Sequence, residues 1–244
     1  MSSGFIDLQK QYWKDIDAVH FDWQTRGPYI SGCEAELLGA IELGAGDRLL
    51  EIGCGEGANL FHLRSGHPGA QLYGVDFSPP KVRFASSATG AKTASADAAK
   101  LPFRARTFDV VLIRDLLHHV HDRAAVIAEA VRVLKPGGRI RVIEPNGANG
   151  IVALMALAIR AERAMLHSSL EAVQAEMQRA GVTGMLARRA QPLPISRVVL
   201  HYKFGAPSLG GRPAVAAALR KLEQWAGLAL PARVWAYFII DGST

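Results

Sequence analysis

The chain has 244 residues, of which 49% are hydrophobic, 20% charged and 7% aromatic, a balance that fills a sizeable core and excludes a disordered or fibrous polypeptide. A formal net charge of +6 invites a nucleic-acid or anionic-membrane partner, yet the basic residues are scattered, and the densest pairs, Arg188 with Arg189 and Arg220 with Lys221, read as solvated faces. Two cysteines, Cys33 and Cys54, make neither a disulfide framework nor a metal cage, so a reducing compartment fits and no metal site is assigned.

In chain order, the opening stretch MSSGFIDLQK lacks a charged region followed by an apolar one, so no export signal is expected and the cytoplasm is the default. Residues 1–42 carry helical spacing with aromatics at Phe5, Tyr12, Trp13, Phe21, Trp23 and Tyr29 and a break at Gly27-Pro28. They read as an N-terminal helical cap. From residue 48, short apolar runs alternate with helical stretches: a strand over 48–52, a helix over 58–64 and a second strand over 71–75. Ser78 offers an N-cap hydroxyl, and Pro79 suits the first position of a helix that runs to about residue 88. A short strand over 93–95 precedes Asp97, and 108–113 is the clearest buried strand. Asp122 caps a helix whose Val126, Ile127, Ala130, Val131 and Leu134 share a face, and Pro136-Gly137-Gly138 ends it before a strand over 139–143.

The last third is less regular. Residues 151–164 predict a strongly apolar helix, but its longest apolar run, 151–159, falls far short of the ~20 residues a spanning helix needs. Ser168-x-x-Glu171 reads as a capping box opening a helix that ends at Gly181, and 191–212, rich in proline and glycine, as a long loop or insertion. Residues 214–226 are predicted helical and 234–240 a final strand. The alternation argues for a parallel sheet covered by helices on both faces, with ligands at the carboxyl ends of the strands. The expected division is a helical cap or lid over 1–42 and one α/β domain over 43–244, with insertion or lid elements near 147–180 and 191–212.

The stretch LLEIGCGEGANL, residues 49–60, carries the chemistry. Gly53, Gly55 and Ala58 satisfy the loose dinucleotide fingerprint, and Asp76, roughly twenty residues on, ends the next strand where a carboxylate accepts both ribose hydroxyls. That much fits a nicotinamide dehydrogenase equally well. Glu51 discriminates, because its charge just before the first glycine would repel a pyrophosphate held at the following helix N-terminus. S-adenosylmethionine has no phosphate and brings a sulfonium and an ammonium group that a carboxylate favours.

Five segments in order, EIGCGEG at 51–57, GVDFS at 74–78, SADAAKLPF at 95–103, FDVVLIRDLLHHV at 108–120 and LKPGGRI at 134–140, resemble the successive motifs of class I S-adenosylmethionine-dependent methyltransferases, above all the ubiquinone and menaquinone group. The resemblance covers about residues 45–146. It implies a Rossmann-like three-layer sandwich with a mostly parallel seven-stranded sheet and an antiparallel last strand. It also implies that Glu51 and Gly53-Cys54-Gly55 lie along the methionine part of the cofactor, that Asp76 takes the ribose hydroxyls and that Phe77 flanks the adenine. Asp97 would accept from the adenine amine, the Ala98 N–H would reach a ring nitrogen, and the Arg114 carbonyl would meet the methionine ammonium.

Methyl transfer is an in-line displacement, so alignment supplies much of the catalysis and a base is optional. His118, His119 and His121 follow the fourth strand at the cleft mouth; His119 is the first choice for base or substrate contact and His118 the second, although related segments contain histidines that only pack. Glu144, ending the fifth strand, is a further candidate to face the acceptor, and Asn146 shapes that turn. His201 and Tyr202 in the variable insertion are candidates to line the pocket. The N-terminal aromatics and residues 151–159 suggest an apolar lid and a small, largely apolar or aromatic acceptor, with oxygen preferred over carbon or nitrogen; closing the core or forming a homodimer is the alternative use of these residues. A nucleic-acid substrate is disfavoured, because R-D-L-L stands where base N-methylating enzymes show Asn/Asp-Pro-Pro-Tyr/Phe and neither cysteine follows proline. A lipid acceptor is disfavoured by the missing lysine-rich stripe. A NAD-dependent oxidoreductase remains the minor alternative.

Overall fold

The structure is a computed structural model that describes residues 11–39 and 41–244. Residues 1–10 and 40 of the expected cap, Phe5 and the MSSGFIDLQK stretch among them, lie outside the described residues. The strands are β1 (Arg48–Ile52), β2 (Gln71–Asp76), β3 (Lys92–Ser95), β4 (Phe108–Arg114), β5 (Leu134–Pro145), β6 (Thr183–Ala190) and β7 (Tyr237–Ser243). They form one sheet in the order β3-β2-β1-β4-β5-β7-β6. The first five pair in parallel, while β7 runs antiparallel between β5 and β6. This is the mixed, mostly parallel seven-stranded sheet with an antiparallel last strand that the resemblance implied.

The described helices of five or more α-helical residues are α1 (Ala18–Arg26), α2 (Ile30–Leu38), α3 (Ala58–Gly66), α4 (Pro79–Thr89), α5 (Arg123–Val133), α6 (Gly150–Ala158), α7 (Leu170–Arg179), α8 (Ile195–Val199) and α9 (Pro213–Ala229). Both faces of the central strands are covered, so β1 and β4 are buried almost continuously, without alternation. On one face Leu50, Ile52, Val111 and Ile113 pack with Val126, Ile127 and Ala130 of α5; on the other Leu49, Leu72, Val110 and Leu112 pack with Leu37, Leu38 and Leu60. A third cluster joins Trp23, Tyr29 and Ile30 to Leu200, Ala216 and Leu219, and the Trp23 indole N–H donates to the Leu200 carbonyl at 2.7 Å. The N-terminal helices are therefore fastened to the segment that follows β6.

Local chemistry explains the element starts. Ser78 accepts from the Lys81 N–H at 3.4 Å with Pro79 opening α4, and Asp122 accepts from the Ala125 N–H at 2.9 Å to open α5. Glycine at 27 and proline at 28 separate α1 from α2.

Several elements differ from the sequence expectation. The apolar helix stops at Ala158 and continues as a 3₁₀ segment, Arg160–His167. The α7 cap is Ser169, which accepts from the Ala172 N–H at 3.2 Å, so Ser168 and Glu171 form no capping box. The expected loop over 191–212 contains α8 and a 3₁₀ turn, Pro207–Gly211, and the last strand starts at Tyr237 because Ala232–Val234 is a 3₁₀ turn. Strand β6 was not anticipated: its burial follows no alternation, and Gly184 takes a left-handed φ of 60°. On the α5 face Val133 is buried in place of Val131. No helix among the described residues is long and apolar enough to cross a membrane.

Candidate active site

Register aligns the carboxyl ends of β1, β2 and β4: Ile52 lies beside Val75 on one side and Ile113 on the other. The chain leaving β1 must therefore turn sharply between the ends of its neighbours. Gly53 does this at φ 78°, and the N–H groups of Gly53 and Cys54 both donate to the Val75 carbonyl, at 2.8 and 2.9 Å. A Cβ at Gly53 would lie 2.9 Å from a methyl of Leu116, whereas one at Gly55, also left-handed, would meet nothing within 4 Å. The bare backbone of Gly55 thus borders open space in which a ligand can approach.

Asp76 is gripped from both sides, its Oδ2 accepting from the Gly55 N–H at 3.0 Å and its Oδ1 from the Ser78 N–H at 2.9 Å. Burial raises its pKa, and those two donors work against the rise. Each carboxylate oxygen keeps lone-pair capacity for a further donor. Asp97 accepts from the Ala99 N–H at 2.9 Å, a turn contact that leaves its other oxygen free of hydrogen bonds among the described residues.

Glu51 is placed one layer deeper than expected. It is 1% exposed and stands behind Asn59, whose amide donates to Oε1 at 2.5 Å, while Oε2 is buried without a hydrogen-bond partner. Burial pushes its carboxyl up to about 8, against the opposing pull of Asn59 and Arg114. Asn59 itself accepts from Arg114 Nη1 at 2.7 Å. The Arg114 side chain, of which the sequence reading used only the carbonyl, pairs with Glu34 of α2, and Arg197 of α8 reaches the other Glu34 oxygen at 2.7 Å. One buried carboxylate thereby fixes two guanidiniums beneath the site.

Gly53, Gly55, Asp76, Phe77, Asp97 and Ala98 line a continuous cavity of ≈ 1230 Å³. Cys54 and Arg114 border it too, and burial holds the Cys54 thiol well above its usual range, which makes it an inert wall residue. The same cavity is lined by His118, His119 and Glu162, with the Trp13 ring tilted against that of His119 at 5.6 Å between centroids. Met155 and Ile159 contribute an apolar wall, and His201 and Tyr202 line the cavity as anticipated. Phe204 stacks on His201 at 3.8 Å with the rings 8° from parallel.

The two histidines sit in opposite electrostatic settings. Glu144 accepts from the Leu116 and Leu117 N–H groups at 2.8 and 2.7 Å and pairs with His118 Nδ1 at 2.6 Å. It is fully buried and absent from the cavity wall, so it does not face an acceptor; it fixes the loop that carries the histidines. Burial would lower the His118 pKa, but Glu144 and Glu162 lift it to about 10, while burial and the adjacent His118 push His119 down to about 3. Asn146 is buried in its turn, donating to the carbonyls of Arg233 and Trp235 at 2.9 and 2.7 Å.

The sequence reading missed Asn59, Asp115 and Glu162. Asp115, directly after β4, is a non-glycine residue at φ 50° and lines the cavity, a strained backbone position of the kind that collects at working sites. Glu162 had a readable signal: it is the lone acid in the apolar stretch MALAIRAERAML. Asn59 had a weaker one, a polar side chain in the first turn of the helix that follows the glycine turn.

Comparison with known proteins agrees with this geometry. Residues 50–142 match the family described as a methyltransferase domain. The 27-O-demethylrifamycin SV methyltransferase of Amycolatopsis mediterranei is 35% identical over 141 residues, 55% of this chain and 49% of that protein. The ubiquinone/menaquinone biosynthesis C-methyltransferase of Desulfotalea psychrophila is 47% identical over 102 residues, 39% of this chain and 40% of that protein. The chain thus spans about half or less of the length of the curated relatives it matches. Among solved structures, Haemonchus contortus phosphoethanolamine N-methyltransferase 2 in complex with S-adenosyl-L-methionine superposes with a TM-score of 0.70 at 18% identity, covering 100% of this chain and 60% of that one. Over residues 50–142, then, the chain is similar to the methyltransferase domain family, and its fold is that of the solved methyltransferase structure.

Proposed function

We propose that this protein transfers the methyl group of S-adenosylmethionine to a small, largely apolar or aromatic acceptor, with oxygen the favoured acceptor atom. The observation that carries the reading is the single cavity of ≈ 1230 Å³ that joins the glycine turn to the histidine cluster. That volume exceeds the ~300–1,000 Å³ of a pocket for one ligand, so cofactor and acceptor fit side by side.

The residues present suit the cofactor. Gly55 leaves a gap in the wall where a side chain would otherwise stand, Asp76 is held as a double acceptor beside it, and the unpartnered Glu51 oxygen lies behind Asn59 ready to stabilise a cation. When bound, S-adenosylmethionine supplies an electrophilic methyl carbon on a sulfonium. Asp76 would hold its ribose, Phe77 would flank its adenine, and Asp97 with the Ala98 N–H would meet the adenine edge. Gly53, Cys54, Gly55 and the Arg114 carbonyl would run along its methionine part.

At the acceptor end, Trp13, Met155 and Ile159 exclude water from the line of transfer, which strengthens every polar contact there. His119, which lines the cavity, would contact the acceptor, and His118 is kept in position by Glu144. The relatives named above carry O-, C- and N-methyltransferase names, which supports a small-molecule acceptor and leaves oxygen as our own choice.

Thermal-shift and calorimetric comparison of S-adenosylmethionine, its demethylated product and NADH tests the assignment. A ligand at a hundred times its dissociation constant adds ~2.7 kcal/mol of stability. Stabilisation by the first two and not by NADH is the expected result; the reverse pattern refutes the proposal.

A further inference from the structure

His118, His119 and Glu162 come from two separate places in the fold, the loop after β4 and the 3₁₀ segment after α6, yet their ligating atoms all lie within 4.8 Å of one another. His118 Nε2 stands 3.6 Å and His119 Nε2 3.9 Å from Glu162 Oε2. Those separations are too long for N–H···O hydrogen bonds. Both His118 Nε2 and Glu162 Oε2 are in fact buried without a hydrogen-bond partner. The two are held only as a long ion pair, which leaves both atoms short of the close partner that a bound ion would supply.

We propose that these three side chains form a binding site for one divalent transition-metal ion of the zinc type, with an open coordination position toward the acceptor end of the cavity. Four ligands at 2.0–2.1 Å from a tetrahedral centre lie about 3.4 Å apart, so each histidine need approach the Glu162 oxygen by only a few tenths of an ångström, and the two ligating imidazoles, no more than 4.8 Å apart, by at most roughly 1.4 Å. Two imidazoles and one carboxylate, with the fourth place left to water or substrate, is a donor set that zinc uses in catalytic sites.

The surroundings strengthen the assignment. His118 Nδ1 is engaged by Glu144 at 2.6 Å, which turns Nε2 toward the site, and a carboxylate behind a ligating histidine is the usual means of fixing ring orientation at a metal. Glu144 is itself locked by the Leu116 and Leu117 N–H groups, so the loop presents a rigid half-site. The ion would displace the proton that His118 otherwise shares with Glu162, take the place between them, and balance the buried acidic charge of Glu144 and Glu162. An acceptor carrying an anionic oxygen, such as a phenolate or enolate, would occupy the open position. This last point rests on the methyltransferase reading; the metal site does not.

The test uses the full chain, stripped with a chelator and titrated with cobalt(II) and zinc(II) alone. We expect visible d–d absorption from one cobalt ion per chain, displaced by zinc. Glu162→Gln and His119→Ala should each weaken the metal by tenfold or more, and Glu144→Gln, which acts through His118, by about 10–100-fold. S-adenosylmethionine affinity measured on the same samples reports whether each variant is folded. A wild-type protein that binds the cofactor but shows no saturable one-to-one cobalt signal overturns the metal site, as does undiminished metal affinity in a folded Glu162→Gln variant. Loss of cofactor binding with an intact cobalt signal would instead refute the proposed function.

Discussion

Protonation of Glu51 gives a quantitative handle on the cofactor site. With its carboxyl pushed up to about 8 by burial, the ligand-free protein carries Glu51 protonated in about 0.9 of molecules at pH 7. A cation resting against Asn59 and the Gly53 turn stabilises the carboxylate and returns it toward its ordinary value of 4.5, so binding should expel about 0.9 proton at pH 7. The sign follows from linkage: the ligand prefers the charged form, so affinity falls as pH drops below 8, about tenfold per unit between pH 7 and pH 6. Calorimetry of S-adenosylmethionine binding in two buffers of different ionisation enthalpy counts the protons directly. The ligand's own ammonium titrates near ~8 and takes up a small opposing fraction at pH 7, which a Glu51→Gln comparison removes. Identical heats in both buffers, or the same release from Glu51→Gln, would refute the reasoning.

Two further variants probe the frame of the site. Asp76→Ala removes the acceptor for the ribose and frees the Gly55 and Ser78 N–H groups it holds. With hydrogen bonds to charged groups contributing ~1.5–3 kcal/mol each, cofactor affinity should fall at least about tenfold for each ribose hydroxyl released, read by calorimetry, and retained affinity would remove Asp76 from the site. Glu34→Ala leaves Arg114 and Arg197 buried without their shared partner, a loss of ~3–5 kcal/mol, or roughly 10 °C in Tm for a chain of this size. The two guanidiniums hold the Glu34 pKa low, so its stabilisation is present above the ordinary carboxylate range and lost as pH falls through the lowered value. The Tm gap between wild type and variant should therefore narrow on acidification; a gap independent of pH would argue against the pairing.

What the sequence revealed was local chemistry. The β1–α3 turn, the Asp76 that ends β2, and the Ser78 and Asp122 caps each depend on residues within one or two turns of each other, so spacing alone exposes them. The Glu34–Arg114–Arg197 cluster is built from residues on α2, β4 and α8, and no short window contains two of its members. Strand β6 escaped because its burial does not alternate and its pairing is with β7 alone, about fifty residues later. Glu144 was located at the right strand end but given the wrong outlook, since the Leu116 and Leu117 amides that claim it become neighbours only when β4 and β5 pair. Reading Glu162 required asking why an acid sits within an apolar run, a question that the apolar pattern itself obscured.

The insertion of β7 between β5 and β6 bears on how the chain is made. When Thr183–Ala190 leaves the ribosome, its one strand partner among the described residues has not yet been synthesised. At ~5–20 residues per second, the intervening stretch keeps β6 waiting for several seconds, with its backbone donors and acceptors unpaired. Such an edge invites pairing with another nascent chain, and adjacent positive charges are a known deterrent. Arg188 and Arg189 stand on that strand. In the finished protein Arg189 lies over the Phe238 ring at 5.7 Å. During synthesis, before Phe238 exists, the same two side chains would serve as the strand's electrostatic guard.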